Sequence, residues 1–222
     1  MSSKQLKGHT VFFKNAPEII ATSSIAGPKE CEGIIGNYVE KALTDDMFGE
    51  STFEKAECKM LSTVIDRVIA NAKIERSEVD VLFSGDLLNQ IISASFAARD
   101  FDIPFLGVYS ACSTMSESML LAASMVNAGY CKRAIAATGS HFASAERQYR
   151  YPLEQGTTRP PQSQWTVTGA GACLIAGNGG EKNGKGKIKI VNGTMGKVVD
   201  YGVTDVNNMG AAMAPVDGII TP

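Results

Sequence analysis

Apolar residues recur along this chain in two alternating rhythms. Short dense runs read as strands, and longer runs with apolar residues three and four apart read as helices. The strand-like runs are residues 10–14, 19–23, 79–83, 101–109, 134–138 and 166–177. The helical rhythm covers residues 32–39, 53–71, 87–101 and 113–128, with a short helix over 143–150. Within 53–71 the inward stripe is Ala56, Met60, Val64, Val68 and Ile69. Within 87–101 it is Leu88, Ile91, Ile92, Ser95 and Phe96, and within 113–128 it is Met115, Met119, Ala122, Ala123 and Val126. Gly129 follows as a helix C-cap. Residues 134–138 are short and wholly apolar apart from Thr138, so they predict a central strand. The alternation predicts an α/β protein whose sheet, mostly parallel, has roughly five strands. Ligands of such sheets bind beyond the carboxyl ends of the strands.

Three polar residues fall at such ends: Asp86 after 79–83, Cys112 after 101–109 and Ser140 after 134–138. Asp86 also suits the N-cap of the helix that follows it. Cys112 stands at a strand-to-helix corner behind Ser110 and Ala111. There the unpaired N–H groups and the positive helix end favour a thiolate. Free cysteine is equally at home as a small, inert core residue, and the local pattern leaves both readings open. Gly169 and Gly171 imitate a dinucleotide-binding loop, but they precede the apolar strand and no helix follows them, which rejects a Rossmann cofactor site.

Composition narrows the function classes. The chain has 222 residues, 44% hydrophobic and 20% charged, with 21 basic and 23 acidic residues and a net charge of −2. No basic cluster offsets that balance, which argues against nucleic acid as a partner. Lys182, Lys185, Lys187 and Lys189 alternate with glycine and polar residues, as in a solvated hairpin or linker. No apolar run approaches the ~18–20 residues of a membrane span. The first residues, Met1 to Lys7, lack the apolar core of a signal peptide, so the expectation is synthesis and retention on the cytosolic side. Cys31, Cys58, Cys112, Cys131 and Cys173 form no CxxC pair and show no metal spacing, which reads as reduced thiols. With His9 and His141 the only histidines, neither a structural zinc nor a cofactor is expected.

Two stretches carry a family resemblance. Ser110-Ala111-Cys112-Ser113 before a small-residue helix resembles the nucleophile corner of the thiolase superfamily. Thr168-Gly-Ala-Gly-Ala-Cys-Leu-Ile-Ala176 resembles the Gly-x-Gly-Ala strand that closes that superfamily's first half. More closely, the chain is similar throughout to the stage V sporulation protein AD family of endospore-forming bacteria. That similarity rests on Gly8-His-Thr-Val-Phe-Phe13, Ile25-Ala-Gly-Pro-Lys29, residues 107–115 and Gly139-Ser-His-Phe-Ala-Ser-Ala-Glu-Arg-Gln-Tyr-Arg-Tyr-Pro152.

The resemblance implies a thiolase-like fold of two similar halves, each a mixed five-stranded sheet between helices. The first half would be complete over residues 1–177. Residues 178–222 would be the opening strands of a truncated second half, with 187–192 and 195–200 as those strands and 208–215 leading into a helix. Catalytic members of the superfamily draw histidines from the second half, and neither His9 nor His141 matches those positions, so acyl transfer through Cys112 is the alternative rather than the main expectation. The family implies instead the binding of dipicolinic acid, or its calcium chelate, during sporulation and germination. The chain would act as a peripheral subunit on the inner spore membrane beside the SpoVA membrane proteins. Lys29, Ser84, Asp86, Ser110, Cys112, Ser113 and Ser140 are the candidate ligand-binding residues, with Asp86 suited to bound Ca²⁺ rather than to the bare dianion. Lys29 is equally consistent with an ordinary exposed lysine after Gly-Pro. The sheet edge is a candidate surface for a homo-oligomer.

Overall fold

A computed structural model describes residues 6–149, 166–177 and 188–196. In chain order the elements are β1 (Leu6–Lys7), β2 (Thr10–Phe12), β3 (Glu18–Ala26), α1 (Pro28–Cys31), β4 (Lys41–Ala42), α2 (Phe53–Ala72), β5 (Val81–Gly85) and α3 (Ile92–Arg99). They continue with β6 (Phe105–Gly107), α4 (Thr114–Ala128), β7 (Arg133–Ser140), α5 (Phe142–Tyr149), β8 (Gly169–Ala176), β9 (Ile188–Lys189) and β10 (Asn192–Thr194).

The principal sheet runs β4-β3-β8-β7-β5-β6, with β9 added beside β3. Five strands make its body, and the two-residue strands β4 and β9 extend it along β3. β7, β5 and β6 are mutually parallel, whereas β8 lies antiparallel to both β3 and β7. The sheet is therefore mixed. β3 and β7 point the same way because each opposes β8.

Helices cover both faces. On one, α2 lays Met60, Leu61, Val64, Ile65 and Val68 against Ile25, Leu82, Ile135 and Leu174, and α3 adds Ala94, Ala97 and Ala98. On the other, α4 packs Ala122 and Val126 against Val81, Phe83, Ala136 and Ile175, with Met115 and Met119 at the margin. Alternate residues of β5 and β7 serve opposite faces, which is the period of two expected of a buried strand. α2 is bounded by its own sequence: the Thr52 hydroxyl accepts from Lys55 N–H at its start, and Lys73 ends it in the left-handed conformation at φ 56°.

Three local expectations are corrected. Residues 32–39 are not an α-helix and hold only a 3-10 turn at Gly36–Tyr38. Pro28, favoured at a first helical position, starts α1 earlier, and the chain then folds back so tightly that a side chain at Gly36 would meet the Cys31 carbonyl at 2.0 Å. The helix expected over 87–101 is broken by left-handed Gln90 (φ 63°) and Ile91 (φ 46°), so α3 begins only at Ile92. It then buries its small face, Ser93, Ala94, Ala97 and Ala98, and leaves Ile92 and Phe96 largely exposed. Small residues let α3 approach α2 and the sheet closely, which outweighs burial of two larger side chains. Lastly, the run 101–109 supplies only β6, and that strand is at the sheet edge rather than buried. Phe101 and Ile103 are buried in the turn after α3, and Pro104 brings no N–H to a ladder.

Residues 188–189 and 192–194 are strands: β9 pairs with β3 in the principal sheet, and β10 completes a separate three-stranded sheet of order β1-β2-β10. Residues 208–215 and the loop 151–165 lie outside the described residues.

Candidate functional site

Topology gathers the polar corners at one end of the sheet. The carboxyl ends of β3, β7, β5 and β6 all point the same way, which places Lys29, Ser140, Asp86 and Cys112 along one rim. β3 and β6 stand four strand spacings apart, ~19 Å at the usual interstrand distance. Lys29 and Cys112 are therefore at opposite ends of the rim, whereas the strands of Asp86, Cys112 and Ser140 are adjacent.

The Cys112 corner is a 3-10 turn over Ala111–Ser113 that feeds directly into α4. Ala111 holds φ 45°, a left-handed conformation that a residue with a Cβ adopts only when its surroundings impose it. Those surroundings are hydroxyls. Thr114 Oγ1 donates to the Ala111 carbonyl at 2.7 Å and accepts from Ser110 N–H at 3.2 Å. Ser113 Oγ lies 2.7 Å from the Ser110 carbonyl and 2.6 Å from Ser110 Oγ. The turn is thereby stapled to the start of α4 and presents Cys112 outward, where it is exposed. When Ser113 donates to the Ser110 carbonyl and Ser110 donates to Ser113, both hydroxyl hydrogens are used. The pair then shows lone pairs to solvent.

Beneath the corner the packing is tight. A side chain on Gly85 would come within 1.8 Å of the Val108 carbonyl and 2.8 Å of Thr114 Cγ2, so glycine is required for β5 to pass under the turn. Ser84 and Asp86 are both fully buried. Asp86 Oδ1 accepts from Leu88 N–H at 2.7 Å and Oδ2 from Ala94 N–H at 2.6 Å, so the carboxylate ties the irregular start of α3 to the end of β5. Burial pushes its pKa up, and the backbone donors oppose that shift. Asp86 and Ser84 thus support the rim from below. Ser140 is half-buried and donates to the Val167 carbonyl at 2.5 Å; Lys29 is exposed on α1.

The thiols differ sharply. Burial pushes Cys173 up to about 12 and Cys131 up to about 11, with Asp80 adding to the latter. Both remain thiols at neutral pH, and of the five cysteines only Cys112 is exposed. His141 is fully buried in a cluster with the Phe53 and Phe142 rings, which also contact each other. Its Nδ1 accepts from Ala143 N–H at 3.1 Å, which fixes the other nitrogen as the protonated one, donating to the Asp46 carbonyl at 2.9 Å. Both ring nitrogens are committed, and burial lowers its pKa, so the ring stays neutral. His9 is exposed in the turn between β1 and β2.

Sequence reasoning missed a buried polar group on the α2 face. Glu57 is fully buried, with Oε2 at 2.7 Å from Ser144 Oγ on α5. The signal was available: Glu57 sits one turn before Leu61, on the same stripe as Val64 and Val68.

A mixed five-stranded sheet with helices on both faces is the thiolase-like fold. Solved structures agree. The chain is similar to 3-oxoacyl-[acyl-carrier-protein] synthase III from Aquifex aeolicus VF5, with a TM-score of 0.50, 15% identity, and coverage of 72% of this chain and 53% of that one. It is likewise similar to Xanthomonas campestris OleA E117D, with a TM-score of 0.51, 16% identity, and coverage of 75% and 60%. At such identities the likeness shows the fold alone. The sequence matches the family of stage V sporulation protein AD over residues 7–221, and the chain belongs to that family of sporulation proteins. It is 39% identical over 207 residues to the stage V sporulation protein AD of Bacillus subtilis (strain 168), covering 93% of this chain. The chain spans 58% of that relative's length. Among the described residues no helix is long and apolar enough to cross a membrane.

Proposed function

We propose that this chain binds dipicolinic acid, as its calcium chelate, at the rim formed by Ser110–Ser113 and Ser140. It would do so as a peripheral component working beside the SpoVA membrane proteins at the inner spore membrane. The observation that carries the reading is the Ser110–Ser113 hydroxyl pair beside an exposed Cys112. In its resting arrangement the pair offers oxygen lone pairs, which suit a hard cation such as Ca²⁺. Rotated, the same hydroxyls donate to a carboxylate. Cys112 contributes shape rather than a covalent bond, and Lys29, at the far end of the rim, acts only through its field. Ser84 and Asp86 hold the corner in place without facing the ligand.

Isothermal calorimetry with dipicolinic acid, with and without Ca²⁺, tests this on the present chain and on the longer Bacillus subtilis relative. Binding that requires Ca²⁺ and weakens severalfold in Ser113→Ala supports the reading. Equal affinity in Ser113→Ala and the unaltered chain refutes the assigned corner.

The strained Ala111 turn favours a second reading, in which Cys112 is an acyl-accepting nucleophile of thiolase type. Incubation with acyl-CoA thioesters and mass spectrometry separates the two, because a stoichiometric Cys112 adduct within minutes is expected only of the enzyme. The β6 edge supports pairing with a second copy of the chain. Leu106 is 50% exposed on it, with Ile92, Phe96 and Tyr109 also exposed on adjoining elements. Sedimentation of Leu106→Lys against the unaltered chain checks that association.

A further inference from the structure

Glu57 is an acidic residue in an apolar stripe, and the site at the rim makes no use of it. Its side chain is fully buried, and Oε1 has no hydrogen-bond partner among the described residues. The ionisable groups that the described residues place around it offer no positive charge. Asp86 faces it from the end of β5, and Glu54 lies one turn back on α2. His141, at the foot of α5, is neutral by its own hydrogen bonds. A bare carboxylate in that setting would be buried, half-satisfied and beside like charge.

The geometry suits a neutral carboxyl. Ser144 Oγ stands 2.7 Å from Glu57 Oε2 and 3.2 Å from the His141 carbonyl oxygen. One hydroxyl hydrogen cannot serve both acceptors. If Glu57 carries a proton, its O–H donates to Ser144 Oγ and Ser144 donates to the His141 carbonyl, and the chain of bonds is complete.

We propose that α5 is latched to α2 by a proton on Glu57, and that ionisation of Glu57 frees α5. Because α5 begins at Phe142, two residues after Ser140, the latch sets the order of one flank of the rim. The device stands independently of what the rim binds. Burial pushes the Glu57 carboxyl up from 4.5 to about 8, with Asp86 and Glu54 adding to the shift. Since the latched state binds the proton more tightly than the open state, latching is strongest below pH 4.5 and is lost as pH rises toward about 8, beyond which it levels off.

The test is hydrogen exchange of the α5 amides in the full chain from pH 5 to 9, corrected for intrinsic rates. The expected result is an opening constant that rises by up to about tenfold per pH unit and then flattens. In Glu57→Gln, which keeps the shape and removes the titration, that rise disappears. In Ser144→Ala, opening increases at every pH. A pH-independent opening in the unaltered chain, or an unchanged rise in Glu57→Gln, overturns the proposal. Should Glu57→Gln fail to fold, carboxyl-carbon NMR of the unaltered chain decides. One glutamate titrating far above the rest supports the latch, and all titrating in the ordinary carboxylate range refutes it.

Discussion

The two faces of the sheet are built on different terms. The α2 face is closed by a capped twenty-residue helix whose large aliphatic side chains are fully buried. The α4 face is made from small residues, Ser118, Ala122 and Ala123, with Met115, Met119 and Met125 only half-buried around them. The closed face can keep an ionisable group dry, and Glu57 sits there. The shallower face begins with the stapled turn that thrusts Cys112 into solvent. One face stores a proton away from water while the other presents a thiol to it.

Truncation in the core breaks this contrast most severely. Leu61→Ala on the α2 face should cost about 3 kcal/mol, and Met119→Ala on the α4 face about 1 kcal/mol, measured by urea denaturation. Equal costs would mean that the two faces are packed alike. Gly85→Ala drives a methyl into the Val108 carbonyl and should cost about 2–3 kcal/mol, while also displacing the Cys112 turn. Alkylation of Cys112 would report that displacement as a changed rate.

The hydroxyl staple is weaker. Thr114→Val removes the bonds to the Ala111 carbonyl and Ser110 N–H and should cost about 1–2 kcal/mol, with Ala111 relaxing from its left-handed conformation. The smallest effect is on the surface. Arg67 holds Glu40 down to about 2 from 4.5, together with Asn71. That contribution is present above pH 4.5 and is lost as pH falls toward 2, opposite in sign to the Glu57 latch. Because the pair is exposed, Arg67→Ala should lower the thermal midpoint only slightly at pH 7 and less still at pH 3.

Much of this was legible in the sequence, for reasons that differ by region. The period of α2 and the density of β7 are strong signals because each element buries large apolar side chains. α3 misled because its buried face is serine and alanine, and hydrophobicity alone assigns the larger Ile92 and Phe96 to the core. The left-handed Gln90 and Ile91 carry no composition cue, since neither residue type favours that conformation. The mixed sheet was legible only through the family resemblance, because nothing local in β8 declares that it runs against both neighbours. At the rim, the cysteine corner was readable from Ser110–Ser113 alone. That Ser84 and Asp86 lie underneath it, rather than facing outward, follows from the close passage at Gly85, which depends on chain segments distant in sequence.

The position of β8 has a consequence in time. β8 lies between β3 and β7, so that Glu18 pairs with Ala176 and Ala26 with Gly169. A chain emerging from the ribosome makes β3 early and its partner β8 only after β4, β5, β6 and β7 have been made. Until β8 arrives, β3 and β7 each present an open strand edge, and Ile25, Ile135 and their neighbours lack their cover. Non-local pairing of that kind closes slowly and leaves nascent chains prone to aggregate. Synthesis rate and chaperone supply should therefore govern the yield of this protein more than its final stability does.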